Sequence, residues 1–294
     1  MGVAEDFSAF CGSLAVTNRG SISDRYELIT RRFNLEFWNS DSRLNHSLYT
    51  GSYGRHTAIG STSDVDMIFW LPVTYYNTYS AYTGNGQSSL LKLFRNALQK
   101  TYNTTQIGAD GQVVVVSFTD GVTFEILPAF ENANDSFTYP DSNNGGSWKV
   151  TNPRPEIAEI NRVDKDSNGN LKCLCRMARS WKKEWSVPIS GLLIDTLAYN
   201  FIRNYEYREK SFLYYDFMSR DFFSFLAGQS ETQQYWLSPG ANQYVWRTGG
   251  FEYKALRSKN IAIDACGYQG EKYGWTARQR WREIYGTSYP GQQR

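Results

Sequence analysis

The stretch Gly51-Ser52-Tyr53-Gly54-Arg55-His56-Thr57-Ala58-Ile59-Gly60-Ser61-Thr62-Ser63-Asp64-Val65-Asp66-Met67-Ile68 decides the fold of this chain. It opens on a glycine turn followed by a hydroxyl and ends on an Asp-x-Asp pair that runs into apolar sequence. On a strand, residues two apart face the same side, so Asp64 and Asp66 project together, roughly 6–7 Å apart. Two like charges held that close repel, and the Met67-Ile68-Phe69 run beside them makes the pair costlier unless a cation neutralises it. Hard oxygen ligands with open positions suit Mg²⁺, which commonly takes one or two carboxylates plus phosphate oxygens.

Outward from this stretch, Val65 to Leu71 reads as a strand stopped by Pro72, and His46 to Ser52 as a short element entering the glycine turn. The first twenty residues are small and polar enough to read as partly mobile. A helix follows from Ser21, capped by Ser21 or Ser23, with Ile22, Tyr26, Ile29, Phe33 and Phe37 at helical spacing. Ser89 to Tyr102 has a second helical register. Residues 112–118 and 122–127 are β-branched runs around Asp120-Gly121, a hairpin signal. Glu125 lies in the second of these runs. Taken alone, an acid there more often faces solvent. As the third acid on neighbouring strands, it completes a set that can hold two metals ~3.5–4 Å apart. Gly51-Ser52 carries little weight alone. Shortly before Asp-x-Asp, it reads as a turn whose amides and hydroxyl cradle phosphate oxygens.

Residues 132–155 are rich in Asn, Asp, Gly and Pro and read as a long surface connection, with a strand near Trp148. Beyond it the patterns turn helical. Leu174, Met177, Trp181 and Trp185 form one apolar face, residues 191–205 another, and the last helices fall near 253–266 and 276–285. This predicts an α/β lobe over 1–150 and a helical lobe over 151–294, with the ligand in a cleft between them. Lys172, Arg176, Arg179 and Lys183 recur as a basic stripe opposite the apolar face, a pattern that usually marks a solvated surface.

Composition narrows the classes. The chain has 294 residues, 41% hydrophobic and 20% charged, with a net charge of +2, so no broadly basic nucleic-acid face is announced. Aromatics reach 16% and read mainly as core, with base stacking left to a few rings. The four cysteines have irregular spacing, and Cys173 and Cys175 would diverge by roughly 200° on a helix, which argues against zinc. No signal peptide is recognisable and no apolar run approaches the ~20 residues of a membrane span, so a cytoplasmic protein that avoids membranes is expected.

Gly51-Ser52, then Ser63-Asp64-Val65-Asp66-Met67-Ile68, then Phe124-Glu125-Ile126-Leu127-Pro128-Ala129-Phe130 resemble the DNA-polymerase-β-like nucleotidyltransferase superfamily. The likeness is greatest to its bacterial cGAS/DncV-like branch, the CD-NTases of anti-phage (CBASS-type) defence. Arg176 to Lys182, Ser190 to Leu197 and Trp281 to Gly286 resemble segments of that branch's helical lobe. The resemblance implies an α/β (α+β) fold: a polymerase-β-like palm with a mixed sheet, followed by a helical C-terminal lobe. It implies Asp64, Asp66 and Glu125 as catalytic ligands of two Mg²⁺ ions, with Mn²⁺ as substitute. Gly51 and Ser52 would hold the donor triphosphate, and Arg179 and Ser190 would close over the same phosphates, with Lys182 competing for the role of Arg179. The activity implied is joining of NTPs into a cyclic di- or trinucleotide with release of pyrophosphate. Effector or regulatory proteins of the same defence system are expected as partners. The near-neutral charge and missing zinc ligands lead us to expect no nucleic-acid activator. A linear nucleotidyltransferase of another branch and a non-catalytic nucleotide-binding module are the alternatives.

Overall fold

The computed structural model describes residues 2–60, 64–103, 105–268 and 274–291; Ser61, Thr62 and Ser63 of the deciding stretch lie outside the described residues. The elements run α1 (Val3–Ser13), α2 (Arg19–Phe33), β1 (Ser47–Tyr49), α3 (Gly51–Gly54), β2 (Asp64–Trp70), α4 (Val73–Ser80), α5 (Gly86–Gln99), β3 (Gln106–Asp110), β4 (Val113–Ser117), β5 (Thr123–Glu131), β6 (Phe137–Asp141) and β7 (Ser147–Thr151). They continue as α6 (Pro153–Asp166), α7 (Asn170–Glu184), α8 (Gly191–Ile202), α9 (Tyr215–Ala227), β8 (Tyr235–Leu237), β9 (Tyr244–Trp246), α10 (Glu252–Cys266) and α11 (Trp275–Tyr285). Two compact units result: a sheet unit of residues 17–55 and 62–154, and a helical unit of residues 1–16, 56–61 and 155–294.

In the sheet unit the strands are ordered β1-β2-β5-β4-β3, with β6 added to β5 and β7 to β6. Among the described residues only the β2–β5 pairing is parallel, which makes the sheet mixed. Parallel neighbours need a long crossover, and the β2–β5 connection contains α4, α5, β3 and β4. The Asp120-Gly121 turn joins β4 to β5 as the β-branched runs predict, with Gly121 at φ +87°. An aromatic cluster holds the helices to the sheet: Phe33 of α2 lies 5.0 Å from Phe69 and 4.6 Å from Phe94 between ring centroids. Two readings are corrected here. Helix α2 begins at Arg19, after Asn18, and not at Ser21. The connection at 132–155 is less irregular than expected, because β6 and β7 pair through it over five residue pairs.

The helical unit is built around Trp181 and Trp281, both fully buried. The Trp181 indole donates to Ser258 Oγ at 2.8 Å, which satisfies its polar edge inside the core. The opening residues are the main departure from expectation. Instead of a mobile segment they form α1, and Phe7 and Phe10 are fully buried. Phe7 packs edge-on to Trp281 at 5.1 Å, and Phe10 lies 4.7 Å from Tyr285. Arg278 adds an ion pair to the buried Asp6 at 2.6 Å. Residues 2–16 and 56–60 belong with the helices beyond residue 154. Among the described residues, no helix is long and apolar enough to cross a membrane.

Candidate active site

The register of β2 is set by what it buries. Val65 and Met67 are fully buried, as are Phe124 and Ile126 opposite them on β5. Period-two alternation then turns Asp64, Asp66 and Glu125 to the other face, and a one-residue slip would bury all three acids. Asp66 and Glu125 are direct partners across the parallel pair, and adjacent strands run ~4.8 Å apart. Asp64 lies exposed at the start of β2, opposite Thr123; Asp66 and Glu125 are half-buried.

Gly51 completes the arrangement. The Thr50 amide donates to the Asp66 carbonyl at 3.0 Å, which brings the β1–α3 turn alongside β2. Gly51 has φ +55°, and a Cβ added there would lie 2.6 Å from Cγ of Asp66 and 2.9 Å from its Cβ. Only glycine satisfies both the left-handed backbone and the close approach. The turn continues as a single helical turn, with the Gly54 amide donating to Thr50 O at 2.8 Å. Tyr26, Tyr49 and Tyr53 stack beside it, with centroids 3.8 Å and 6.2 Å apart. Burial pushes the Tyr49 and Tyr53 hydroxyls above the usual phenol range.

Among the described residues, no group of three His, Cys, Asp or Glu side chains converges as a metal cage. The donor chemistry still fits Mg²⁺, because this ion usually keeps only one or two carboxylates and takes its other oxygens from water and substrate phosphate. Asp66 and Glu125 are such a pair, and Asp64 shares their strand face.

The remaining candidates lie in the helical unit. Arg179, which the resemblance places over the phosphates, is 8% exposed and internally bonded. Its Nη2 donates to Asp195 Oδ2 at 2.6 Å, to Gly191 O at 3.0 Å and to Thr57 Oγ1 at 3.2 Å. Thr57 Oγ1 in turn donates to Asp195 Oδ2 at 2.8 Å. A guanidinium held this way is a structural clasp between α7, α8 and the 56–61 segment. Asp195 and Thr57 lie inside segments the sequence reading singled out, but their bond to Arg179 joins residues distant in sequence and has no local signal. Lys182, one turn further along α7, is half-buried, and burial followed by the charge of Arg179 holds its ammonium below the usual lysine range. Ser190 caps α8, its hydroxyl accepting from the Leu193 amide at 3.1 Å. On the stripe, Lys183 is exposed, whereas Lys172 is half-buried, its Nζ 2.7 Å from Asn161 Oδ1 and 3.5 Å from Asp164.

A probable cyclic nucleotide synthase from Bacillus cereus (strain VD146) is 25% identical over 179 residues, 57% of this chain and 51% of that protein. The cyclic AMP-AMP-AMP synthase of Acinetobacter sp. (strain ATCC 27244 / 9458) is 24% identical over 198 residues, 63% of this chain and 54% of that protein. The chain thus spans about half the length of the curated relatives it matches. Among solved structures, that of E. coli MS115-1 CdnC with ATP superposes with a TM-score of 0.70, covering 98% of this chain and 99% of the other at 15% identity. The fold is therefore that of the polymerase-β-like CD-NTases. Residues 1–164 match the Second Messenger Oligonucleotide or Dinucleotide Synthetase (SMODS) domain, and the chain belongs to that bacterial nucleotidyltransferase family.

Proposed function

We propose that this protein is a Mg²⁺-dependent nucleotidyltransferase that joins NTPs into a cyclic di- or trinucleotide, a second messenger of anti-phage signalling. The observation that carries this reading is the Asp66–Glu125 pair on adjacent parallel strands with Gly51 packed against Asp66. A hydroxyl of one nucleotide attacks the α-phosphate of another, pyrophosphate leaves, and a second attack closes the ring. Asp64, Asp66 and Glu125 hold the metal, which supplies neutralisation of phosphate charge when bound. The Gly51 turn admits phosphate oxygens close to the backbone, and the Ser52 hydroxyl donates to them. On the helical unit, Lys182 and Ser190 contact phosphate, and Arg179 acts through its clasp on Asp195 instead of by direct contact. Catalysis then consists mainly of positioning and charge neutralisation. Regulatory or effector proteins of a defence system are the expected partners, and the small net charge favours activity without a nucleic-acid activator.

The test is incubation of the purified protein with all four labelled NTPs and Mg²⁺, with and without duplex DNA or RNA. Alkaline phosphatase and mass spectrometry follow. A phosphatase-resistant nucleotide, formed equally without duplex, supports the proposal. If every product collapses to nucleosides or dephosphorylated linear oligomers, the cyclising reading fails and a linear nucleotidyltransferase takes its place. Absence of any metal-dependent pyrophosphate release favours the binding module.

A further inference from the structure

The helical unit contains a cavity of about 420 Å³ whose lining includes Asp164, Lys172, Arg176, Ser211, Phe212 and Tyr215. Its aromatic wall is held in place. The Tyr215 hydroxyl donates to Asn170 Oδ1 at 2.6 Å, and Asn170 Nδ2 donates to the Arg208 and Lys210 carbonyls at 2.7 and 2.8 Å. The Phe212 ring lies 4.7 Å from that of Tyr215. Of the two cations on the cavity, Lys172 is already offset: its Nζ donates to Asn161 Oδ1 at 2.7 Å and lies 3.5 Å from Asp164 Oδ2. Arg176 is not. Half-buried on α7, it donates from Nη1 to the His56 carbonyl at 3.4 Å and from Nη2 to Cys173 Sγ at 3.3 Å, both uncharged acceptors. Its Nε is buried without a hydrogen-bond partner, and among the described residues no carboxylate pairs with the guanidinium. A cation drawn out of water without a counter-charge is costly, and an anion in the cavity removes that cost. The start of α7 offers no competing anion site. The amides of Asn170, Leu171, Lys172 and Cys173 are already taken by Ser167 O, Ser167 Oγ, Asp164 Oδ1 and Gly169 O.

We propose that this cavity is a binding site for a small aromatic monocarboxylate, with the carboxylate on Arg176 and the ring against Phe212 and Tyr215. The planar fork of arginine matches a carboxylate, and the volume lies in the range of small-molecule pockets. A single negative charge is what the cavity neutralises, because Asp164 lines the same space and repels a second one. A phosphate monoester, with close to two charges at neutral pH, exceeds that count. The site stands apart from the nucleotidyl-transfer reading, since its lining includes neither the three acids nor the Gly51 turn.

The test titrates the full chain calorimetrically with naphthoate, with naphthylmethanol and naphthyl phosphate as comparison probes. Naphthoate should occupy a single site and bind at least ~10-fold more tightly than the alcohol, which lacks the charge. Arg176→Gln should weaken naphthoate by a similar factor while the melting temperature of the free protein stays equal or rises, because an unpaired charge is removed. Phe212→Leu, which leaves the charge in place, should weaken naphthoate severalfold. The proposal is overturned by no naphthoate binding, by equal affinity in wild type and Arg176→Gln, or by a tighter Arg176-dependent complex with naphthyl phosphate. A large loss of stability in Arg176→Gln would also overturn it, since the guanidinium would then be a satisfied structural contact.

Discussion

Arg179 and Asp195 form a buried ion pair at 2.6 Å within the helical unit, and Thr57 donates to the same carboxylate oxygen. Three stretches of chain distant in sequence are held at one point. Removing one partner strands the other charge in the interior, which typically costs about 3–5 kcal/mol. Asp195→Ala should therefore lower the urea midpoint sharply, and Arg179→Ala should do the same. Less than about 1 kcal/mol lost in either variant would show that the pair is not a clasp.

Lys182 has the opposite profile. Half-buried beside Arg179, with its charge disfavoured by burial, it gains most when an anion arrives. Lys182→Ala should leave the melting temperature within a degree or two and weaken ATP binding, since a hydrogen bond to a charged group is worth roughly 1.5–3 kcal/mol. Calorimetric titration reads this directly, and unchanged affinity would remove Lys182 from the phosphate site.

Gly51→Ala should abolish turnover. The new methyl would meet the Asp66 carboxylate, and the left-handed backbone adds roughly 1–2 kcal/mol of strain. Pyrophosphate release is the measurement, and Gly20→Ala, where an added Cβ meets nothing within 4 Å, is the control.

The acids should be separable from the fold. The double variant Asp64→Asn, Asp66→Asn, and Glu125→Gln by itself, should each stop pyrophosphate release while the melting temperature stays equal or rises, because repulsion among like charges is relieved. EDTA should silence the native enzyme and Mg²⁺ restore it. A large stability loss in the acid variants would mean that they hold the sheet together and do no chemistry.

Asp216 predicts a pH dependence. Burial raises its carboxyl from 3.8 to about 6, so the folded state holds the proton more tightly than the unfolded one. Its favourable contribution is complete below pH 3.8 and is lost as pH rises through 6. Asp216→Asn keeps an acceptor for the Phe217 amide, now bonded at 2.8 Å. It should stabilise the protein by about 2–3 kcal/mol above pH 7, with the gain fading below pH 4. Denaturation at both pH values checks this.

The acidic strands were legible because their signal is local. A period of two, an apolar face and a stop at Pro72 place Asp66 without knowledge of any other element. The Asp120-Gly121 turn did the same for Glu125. What escaped depends on distant partners. Phe7 and Phe10 are two aromatics among small polar residues, and nothing near them announces Trp281, Tyr285 or Tyr289. Arg179 sat on a helical stripe that charge alone would call solvated. Its burial follows from Asp195 on α8 and Thr57 far upstream. The β6–β7 pair was hidden by its composition, since Pro140 and the Asn-Gly-rich turn read as loop.

The discontinuous helical unit has a consequence for how the protein is made. The sheet unit draws only on residues up to 154, so it can close around Phe33, Phe69 and Phe94 before the helices beyond it are made. Helix α1 precedes the sheet unit in the chain yet must wait for its partners, because Trp281, Tyr285 and Tyr289 are made only after the whole of that unit. Until then Phe7 and Phe10 stay uncovered, in reach of chaperones and proteases. Assembly therefore has two stages, and a nascent chain stalled before residue 281 carries an assembled sheet and an α1 whose phenylalanines are exposed.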